Sequence, residues 1–245
     1  MGPCGVLRLA TRRAKALGRY ACRQPHEDDF RYFARHGQQD GLFLDVGANL
    51  GQSAMSIRIV LPKARILSLE PNPVHRRDLA FTAKLVCNMD VRTLAAGASR
   101  GELTLHVPVW RGAPLTGEAS LNRDAIFSSS TLIDRLGHAM HGPQFRIASF
   151  DVPILPIDEL GIDPRWMKID VQGTAPAVIR GARDTINRSR PVLMVESDGL
   201  TNAEVMALLS EFGYQVFEYD PATDELSPFA DRSRQNLFFI SAVDS

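Results

Sequence analysis

The sequence predicts an α/β fold with a doubly wound, mostly parallel, seven-stranded sheet that has an antiparallel closing strand. Short apolar runs alternate with helical patterns, as they do in parallel sheets that helices cover on both faces. Several of these runs end in an acidic residue, and the last two have only a Pro/Asp-rich loop between them. Right-handed crossovers place the carboxyl ends of parallel strands at one edge, where ligands bind in such sheets.

The individual elements follow from the hydrophobic period in chain order. The predicted strands are residues 41–46, 64–69, 91–96, 164–171, 191–196, 214–219 and 236–241. The predicted helices are residues 28–36, 52–61, 73–87, 175–187 and 202–212. Pro71 and Pro73 end the second strand, and Gly213 ends the last helix. A further half-buried strand is expected at residues 102–107, where polar and apolar residues alternate.

The composition indicates an ordinary globular protein. The chain has 245 residues, of which 44% are hydrophobic and 23% charged, and its formal net charge is zero. A neutral chain lacks the basic field that bulk nucleic-acid binding requires. The three cysteines are far apart and show neither metal spacing nor a disulfide framework, and no apolar stretch has the length of a membrane span. We therefore expect a cytoplasmic protein without a nucleic-acid partner.

Two segments stand apart from the alternating pattern. Residues 1–38 form a basic segment that we expect to be helical. Its first 24 residues contain six arginines and lysines, and no acid precedes Glu27. A solvated or loosely docked helix is the simplest interpretation, and a weak contact with anionic membranes or a targeting role is the alternative. Residues 39–245 are predicted to form a single domain. Within it, residues 108–147 lose the regular pattern and form an irregular excursion on the substrate side.

The most informative stretch lies at the end of the first predicted strand. Residues 43–51 read FLDVGANLG, an apolar run that ends in an acid and continues into a glycine loop. The two glycines, Gly47 and Gly51, permit a tight turn and a close backbone approach to a ligand. The acid at the end of the second strand, Glu70, can accept hydrogen bonds from ribose hydroxyls. This combination predicts a nucleotide-type pocket.

These motifs resemble those of a known enzyme family. The strings DVGANLG at 45–51 and EPN at 70–72 resemble the cofactor half of class I S-adenosylmethionine-dependent methyltransferases, which have a Rossmann-like sheet. The strings LPIDEL at 155–160, KIDVQG at 168–173 and PVLMVE at 191–196 narrow the resemblance to FkbM-type methyltransferases. The resemblance spans residues 43–240 and implies S-adenosyl-L-methionine as the cofactor.

The resemblance also implies roles for individual residues. The residues expected to bind the cofactor are Asp45, Gly47, Asn49, Gly51, Ser53, Glu70, Asn72 and Ala96. All of these except Glu70 have a structural alternative: a loop cap for Asp45, a tight strand-to-helix turn for Gly47 and Gly51, a left-handed turn for Asn49, a helix cap for Ser53, a turn for Asn72 and strand packing for Ala96.

Three residues are candidates for catalysis. Asp170 and Glu196 end neighbouring predicted strands, and His138 lies in the excursion, where a histidine can act as a general base. Capping of the next helix is the alternative for Asp170. Carboxylates here can also hold a divalent cation, but the spacing does not support a site, so no metal is expected.

The expected reaction is O-methyl transfer from S-adenosylmethionine to a hydroxyl of a sugar or of a small-molecule or natural-product acceptor. One departure from the family pattern leaves an alternative open, because Gln172 stands where the family usually has glutamate. An amide cannot act as a carboxylate base, so a non-catalytic cofactor-binding relative is one alternative. An NAD-dependent oxidoreductase is the other, although the loop lacks the third glycine of the dinucleotide pattern.

Overall fold

The computed structural model describes residues 4–35, 40–232 and 234–241, with the backbone alone for residues 4–10 and 35. The beginning of the predicted basic segment and the last residue of the predicted helix at 28–36 therefore lie outside the described residues. None of the described helices combines the length and the apolar character that a bilayer crossing needs.

The strands form two sheets, and helices flank them. The strands are β1 (Leu42–Val46), β2 (Arg65–Leu69), β3 (Met89–Arg92), β4 (Ala95–Ala96), β5 (Gly101–Trp110), β6 (Ala113–Pro114), β7 (Phe145–Leu155), β8 (Pro164–Ile169), β9 (Val192–Glu196), β10 (Tyr214–Asp220), β11 (Glu225–Pro228) and β12 (Asn236–Ser241). The α-helices are α1 (Cys4–Ala21), α2 (Gln52–Val60), α3 (Arg76–Val86), α4 (Arg123–Phe127), α5 (Ser130–Leu136), α6 (Ala175–Arg180), α7 (Arg183–Ser189) and α8 (Asn202–Ser210). Shorter 3₁₀ helices span Asp28–Arg35, Pro73–His75, Thr116–Glu118, Gly137–His141 and Ile157–Leu160.

The main sheet is mixed and has eight strands in the order β11-β10-β12-β9-β8-β1-β2-β3. Strands β3, β2, β1, β8 and β9 are parallel, whereas β12, β10 and β11 join by antiparallel pairing. The prediction of seven strands with one closing strand is thus corrected. The extra strand, β11, has four residues inside the Pro/Asp-rich loop, which is too short for a hydrophobic period to reveal it.

The third predicted strand is divided between two sheets. Strand β3 pairs with β2 in the main sheet, but β4 pairs with β7 in a separate four-stranded sheet of order β4-β7-β5-β6. The chain turns between them, where the amide of Leu94 donates to the carbonyl of Arg92 at 3.2 Å and the Leu94 side chain enters the core. Apolar residues on both sides of this turn made one continuous strand the simpler prediction.

The excursion at residues 108–147 is regular, in contrast to the prediction. Strand β5 continues to Trp110 and pairs with β7 along its whole length. Helices α4 and α5 follow, and their first turns are capped by the side chains of Asn122 and Ser129. These helices have five and seven residues, so they are too short to show a clear helical period in the sequence. A small core of Leu115, Ile126, Leu132 and Met140 holds this unit together.

The single helix predicted at residues 175–187 is divided into α6 and α7. The break lies at Gly181, where a β-carbon would stand 1.9 Å from the carbonyl oxygen of Gly97. The close approach of these two backbones therefore requires glycine and links the helix pair to the turn after β4.

The N-terminal segment packs against one face of the main sheet. Phe30 and Phe33 of the 3₁₀ helix Asp28–Arg35 are fully buried, in the same cluster as Phe43 and Trp166 of the sheet. In α1, the Arg13 guanidinium lies 3.1 Å from an Asp78 carboxylate oxygen of α3. In the same segment, Glu27 accepts a hydrogen bond at 3.3 Å from the side chain of Asn236, which pairs in register with Glu196 at the carboxyl end of β9.

Candidate functional site

Polar side chains form adjacent rows across one face of the main sheet at the carboxyl ends of its strands. Asp45 pairs in register with Ser68 on one side and with Lys168 on the other. Lys168 pairs in register with Met194 of β9, and two residues further along that strand Glu196 pairs in register with Asn236 of β12. Because side chains alternate between the two faces of a strand, all of these point to the face that the N-terminal segment covers. The sequence predicted Asp45 and Glu196 at this edge, and the structure brings them onto the same face.

Lys168 is a buried cation at the centre of this region. Only 1% of its side chain is exposed, and its Nζ lies 2.6 Å from Oδ2 of Asp170. Burial alone would lower the pKa of Lys168, but the nearby carboxylates of Asp170, Asp45 and Glu27 outweigh it and raise the pKa. Lys168 therefore remains charged and holds these acids together.

Asp45 is fully buried beside Lys168. Its Oδ2 accepts a hydrogen bond from the Ser68 hydroxyl at 3.0 Å. Burial raises the pKa of Asp45, although the Lys168 charge and the Ser68 hydroxyl partly oppose this shift. Among the described residues its second oxygen, Oδ1, has no hydrogen-bond donor. An unpartnered buried acceptor is unfavourable, so this oxygen is available to a ligand donor.

Asp170 and Glu196 form a pair of carboxyl groups. Asp170 directly follows β8, and its amide donates to the carbonyl of Val46 at 2.9 Å, which fixes the start of the loop. Burial, the hydrogen bond to Asp170 and the charge of Asp170 together raise the pKa of Glu196 to about 7. A carboxyl group with a pKa near neutral pH, such as that of Glu196, can accept or release a proton under ordinary conditions.

The N-terminal segment adds Glu27 to the same region. Burial would raise the pKa of Glu27, but the hydrogen bond and charge of His26 and the charge of Lys168 lower it to about 2. The ring of His26 lies 3.1 Å from Glu27 through Nε2 and 2.9 Å from the Ser56 hydroxyl through Nδ1. Because Ser56 is buried, this chain of contacts anchors the segment on α2 and does not expose a nucleophile.

The glycine loop after β1 approaches the loop after β8 closely. Gly47 has a φ of 89°, and a β-carbon there would stand 1.8 Å from the Asp170 carbonyl oxygen. Gly51 has a φ of 87°, and a β-carbon there would meet the Thr82 side chain at 2.8 Å. Asn49 is left-handed with a φ of 50°, and its Oδ1 is buried without a donor among the described residues. The structure therefore supports the predicted tight turn at these positions.

We expect Gly47→Ala to lower the free energy of unfolding by at least about 2 kcal/mol, because the new methyl group meets backbone that cannot move independently. Gly112→Ala is the matched control. Gly112 has a φ of 78°, but a β-carbon there would meet nothing within 4 Å, so this variant should lose only about 1 kcal/mol through backbone strain. Chemical denaturation measures both values, and equal losses would show that the contact with Asp170 is unimportant.

Glu70 organises the loop from the end of β2. Its two carboxylate oxygens accept backbone hydrogen bonds from Asn49 at 2.7 Å and from Asn72 at 2.8 Å. Burial raises the pKa of Glu70 to about 7 despite these two hydrogen bonds. Each oxygen retains a second lone pair for a ligand hydroxyl. The side-chain oxygen of Asn72 accepts a hydrogen bond from the amide of Val74 at 3.1 Å and so caps the following 3₁₀ helix. This contact is of the local, turn-forming kind that the sequence predicts as the alternative to cofactor binding.

The remaining predicted residues are placed as follows. Ser53 is buried in the first turn of α2, directly behind the glycine loop. Ala96 lies in β4 of the smaller sheet and not at the end of β3. His138 is exposed in the 3₁₀ turn Gly137–His141, and no hydrogen bond or ion pair among the described residues joins it to Asp170 or Glu196. Their functional roles remain predictions.

Lys168 and Glu27 were not among the predicted site residues. The sequence did carry a signal for Lys168, because it is a lysine within the otherwise apolar run WMKI, and a buried lysine requires an acidic partner. Glu27 is the first acid after a long basic stretch. This change in charge does not indicate where Glu27 lies in the fold. Within the described part of the chain, no group of three or more histidine, cysteine or acidic side chains has the arrangement of a metal site.

A solved methyltransferase structure shares this fold. A structure of the methyltransferase FkbM from Methylobacillus flagellatus KT is 15% identical and has a TM-score of 0.50, covering 85% of this chain and 47% of that one. The chain thus spans about half of that protein. A predicted O-methyltransferase from Agrobacterium tumefaciens is 14% identical with a TM-score of 0.43, covering 87% of this chain and 79% of that one. Comparison with curated protein sequences gives no significant match.

The family profile described as the methyltransferase FkbM domain matches residues 45–216. The match begins at Asp45 and includes the glycine loop, Glu70, Lys168, Asp170 and Glu196. It also includes the smaller sheet and the helices of the excursion. S-adenosylmethionine is the cofactor that this membership supports, and the resemblance inferred from the sequence motifs is confirmed. The chain belongs to the FkbM methyltransferase family.

Proposed function

We propose that this protein transfers a methyl group from S-adenosyl-L-methionine to a hydroxyl oxygen of a sugar or of a small-molecule or natural-product acceptor. The observation that carries the proposal is the position of the Asp170–Glu196 carboxyl pair at the ends of the neighbouring strands β8 and β9. The backbone of Asp170 lies against Gly47 of the glycine loop, and buried oxygen acceptors of that loop lack donors among the described residues. The loop can hold the cofactor, and the pair can take the proton that a hydroxyl loses on methylation.

The residues around the loop fit this cofactor chemically. Three buried acceptors, Oδ1 of Asp45, Oδ1 of Asn49 and Oε1 of Gln52, have no donor among the described residues. The cofactor has an ammonium group and two ribose hydroxyls that can donate to such atoms. The surrounding acids outnumber the one buried lysine, so the edge favours a ligand that carries positive charge.

In the proposed reaction, the bound cofactor supplies an electrophilic methyl group on its sulfonium. The ionised carboxylate of the Asp170–Glu196 pair accepts the acceptor's hydroxyl proton as the new O–C bond forms and the S–C bond breaks. Nζ of Lys168 lies 2.6 Å from Oδ2 of Asp170 and places a positive charge beside the pair. Glu196 is half-buried, so the proton can then pass to solvent. Alignment of the two reactants supplies much of the rate increase in such a site.

One residue favours a second candidate, a cofactor-binding relative without turnover. Gln172 lies exposed after β8 with a φ of 47°, at the position where the resembled family usually has a glutamate. In our proposal the proton acceptor is the Asp170–Glu196 pair, so an amide at position 172 does not remove it. The NAD-dependent oxidoreductase is not retained, because the chain belongs to a methyltransferase family.

The proposal is tested by calorimetry followed by label transfer. Purified protein is titrated with S-adenosylmethionine, S-adenosylhomocysteine and NAD, and binding of NAD alone would overturn the cofactor assignment. Labelled S-adenosylmethionine is then supplied with a panel of sugars and hydroxylated metabolites. Cofactor binding without label transfer, together with transfer by a Gln172→Glu variant, would favour the non-catalytic relative.

We expect Glu70→Ala to weaken S-adenosylhomocysteine binding by at least about tenfold, because charge-assisted hydrogen bonds to the ribose contribute about 1.5–3 kcal/mol. Calorimetry measures the loss, and Glu225→Ala on the exposed strand β11 is the control. An unchanged affinity in Glu70→Ala would remove the ribose assignment.

The raised pKa of Glu70 adds a pH dependence to this prediction. Because burial raises it to about 7, the protonated form stabilises the folded state at acidic pH, and this contribution is lost as the pH rises from 4.5 to about 7. Ribose hydroxyls favour the ionised form, so the affinity should rise as the pH increases through about 7. In Glu70→Gln this rise should be absent.

We also propose a cytoplasmic location. Cys22 and Cys87 are free and exposed in the described structure, as expected in a reducing compartment.

A further inference from the structure

Basic charge is concentrated on two helices of the protein. Helices α1 and α3 together contain eight arginines and lysines and a single acid, Asp78, which gives them a net charge of +7. The whole chain has a net charge of zero, so all other residues together have a net charge of −7. Helices α6, α7 and α8 contain three arginines and two acids, a net charge of +1. The excess of cations therefore belongs to α1 and α3.

These two helices cover the same face of the main sheet. Leu79 and Val86 of α3 belong to one hydrophobic cluster with Phe43 and Trp166 of the sheet, and Leu17 of α1 packs against that cluster. Successive side chains of a strand point to opposite faces, so this cluster marks one face only. The outer sides of α1 and α3 therefore face solvent on the same side of the protein.

The outer side of α3 exposes apolar residues together with basic ones. Phe81 and Leu85 are 41% and 37% exposed and lie one helical turn apart. Arg77 and Lys84 are exposed on the same side of the helix, because residues three or four positions apart are neighbours on a helix surface. Two apolar side chains thus lie in a row with two cations.

Arg13 joins α1 to this row. Its guanidinium lies 3.1 Å from a carboxylate oxygen of Asp78 and 4.5 Å from the centre of the Phe81 ring. Asp78 is only 14% exposed and is paired, so its charge does not oppose the exposed cations of α3. Arg12 and Lys15 of α1 are also exposed. The apolar side chains are therefore accompanied by cations from both helices.

We call Arg13, Arg77, Phe81, Lys84 and Leu85 the basic–apolar surface. Its composition fits the interface of an anionic membrane, where aromatic and aliphatic side chains enter the headgroup region while lysines and arginines attract anionic lipids. A second copy of the chain is a poor partner, because a two-fold contact would bring the same cations together. Nucleic acid would satisfy the cations, but contacts with phosphates make no use of an exposed leucine.

We propose that the basic–apolar surface docks the protein on an anionic lipid membrane. This inference is independent of the methyl acceptor. It extends the membrane contact considered for the basic N-terminal segment, because it assigns the contact to α3 as well as α1 and includes the entry of Phe81 and Leu85 into the headgroup region. Binding then requires anionic lipid and weakens as salt screens the cations.

The test measures sedimentation of the full chain with lipid vesicles at low and at physiological salt. One set of vesicles contains phosphatidylcholine alone, and the other contains equal parts of phosphatidylcholine and phosphatidylglycerol. The charge variant combines Arg77→Gln with Lys84→Gln, and the apolar variant combines Phe81→Gln with Leu85→Gln. Circular dichroism checks that each variant is folded, and the charge variant alone decides if the apolar variant does not fold.

The matched control combines Arg183→Gln with Arg188→Gln. It removes the same charge as the charge variant, from arginines that are about half exposed on α7. Ile186 of α7 belongs to the hydrophobic cluster of Leu44 and Met167, which lies on the opposite face of the main sheet. A loss of binding caused only by the lower net charge of the protein would therefore appear in this control as well.

We expect wild-type protein to sediment with the mixed vesicles and not with phosphatidylcholine alone. The charge variant should bind the mixed vesicles at least about tenfold more weakly. The apolar variant should bind them at least about fivefold more weakly, and the control should match wild type. Absence of wild-type binding, equal binding to both sets of vesicles, or an equal loss in the control would overturn the proposal. Tighter binding to duplex DNA than to the mixed vesicles in the same salt would also overturn it.

Discussion

Asp170→Asn is expected to lower kcat/KM for methyl transfer by about 10²–10⁴-fold, the usual contribution of a positioned general base. The asparagine preserves the shape of the side chain and can still donate to Glu196. It cannot accept a proton, and its contact with Lys168 loses the charge interaction that the 2.6 Å ion pair provides. The loss is measured with labelled S-adenosylmethionine and whichever acceptor the panel identifies.

The matched control for this variant is Asp163→Asn. Asp163 lies just before the opposite end of β8, 69% of its side chain is exposed, and it pairs with Arg188 at the surface. We expect its activity to match wild type. A reduction of less than about threefold in Asp170→Asn would contradict the assignment of the proton acceptor to this pair.

The pH dependence of the same pair gives an independent readout. Because burial and Asp170 raise the pKa of Glu196 to about 7, the rate should increase as the pH rises through about 7 and Glu196 loses its proton. In Asp170→Asn the neighbouring negative charge is absent, so the pKa of Glu196 should fall toward 4.5. Carbon-13 NMR of the Glu196 carboxyl measures this shift even if no activity remains.

Lys168→Met is expected to lower the free energy of unfolding by about 3–5 kcal/mol, the usual cost when one partner of a buried charge cluster is removed. Methionine has a similar length and keeps the packing, so the loss reports the missing charge. Asp45 is fully buried and would be left without its cation, as would the Lys168-facing oxygen of Asp170. Chemical denaturation at neutral pH measures the change.

Two further variants make this prediction specific. Lys84→Met, at an exposed position of α3, should change stability by less than about 0.5 kcal/mol. Combining Lys168→Met with Asp45→Asn removes the buried anion as well as the cation, so the double variant should recover part of the loss. Full additivity of the two substitutions would show that Lys168 and Asp45 do not interact.

Much of the main sheet could be predicted from the sequence, because its signals are local. A buried strand such as β8 is a short apolar run, and the following glycine marks its end. The predictions were wrong where tertiary contacts decide. The helix after β8 ends early because Gly181 must lie against Gly97, and β4 leaves the main sheet to pair with β7. Gly97 and β7 are distant in sequence from Gly181 and β4, so the hydrophobic pattern around Gly181 and β4 does not reveal these contacts.

The candidate site shows the same division. The sequence motifs alone determined the methyltransferase family and placed Asp45, Glu70, Asp170 and Glu196 at strand ends, since a strand and the loop after it are contiguous in the chain. Only the tertiary structure joined Asp170 to Glu196, placed Lys168 between the acids and brought Glu27 to the same edge. These contacts depend on strand order and on the docking of the N-terminal segment. Charge interactions act through space between residues far apart in the chain, so the protonation of the site could not be inferred until the fold had fixed those distances.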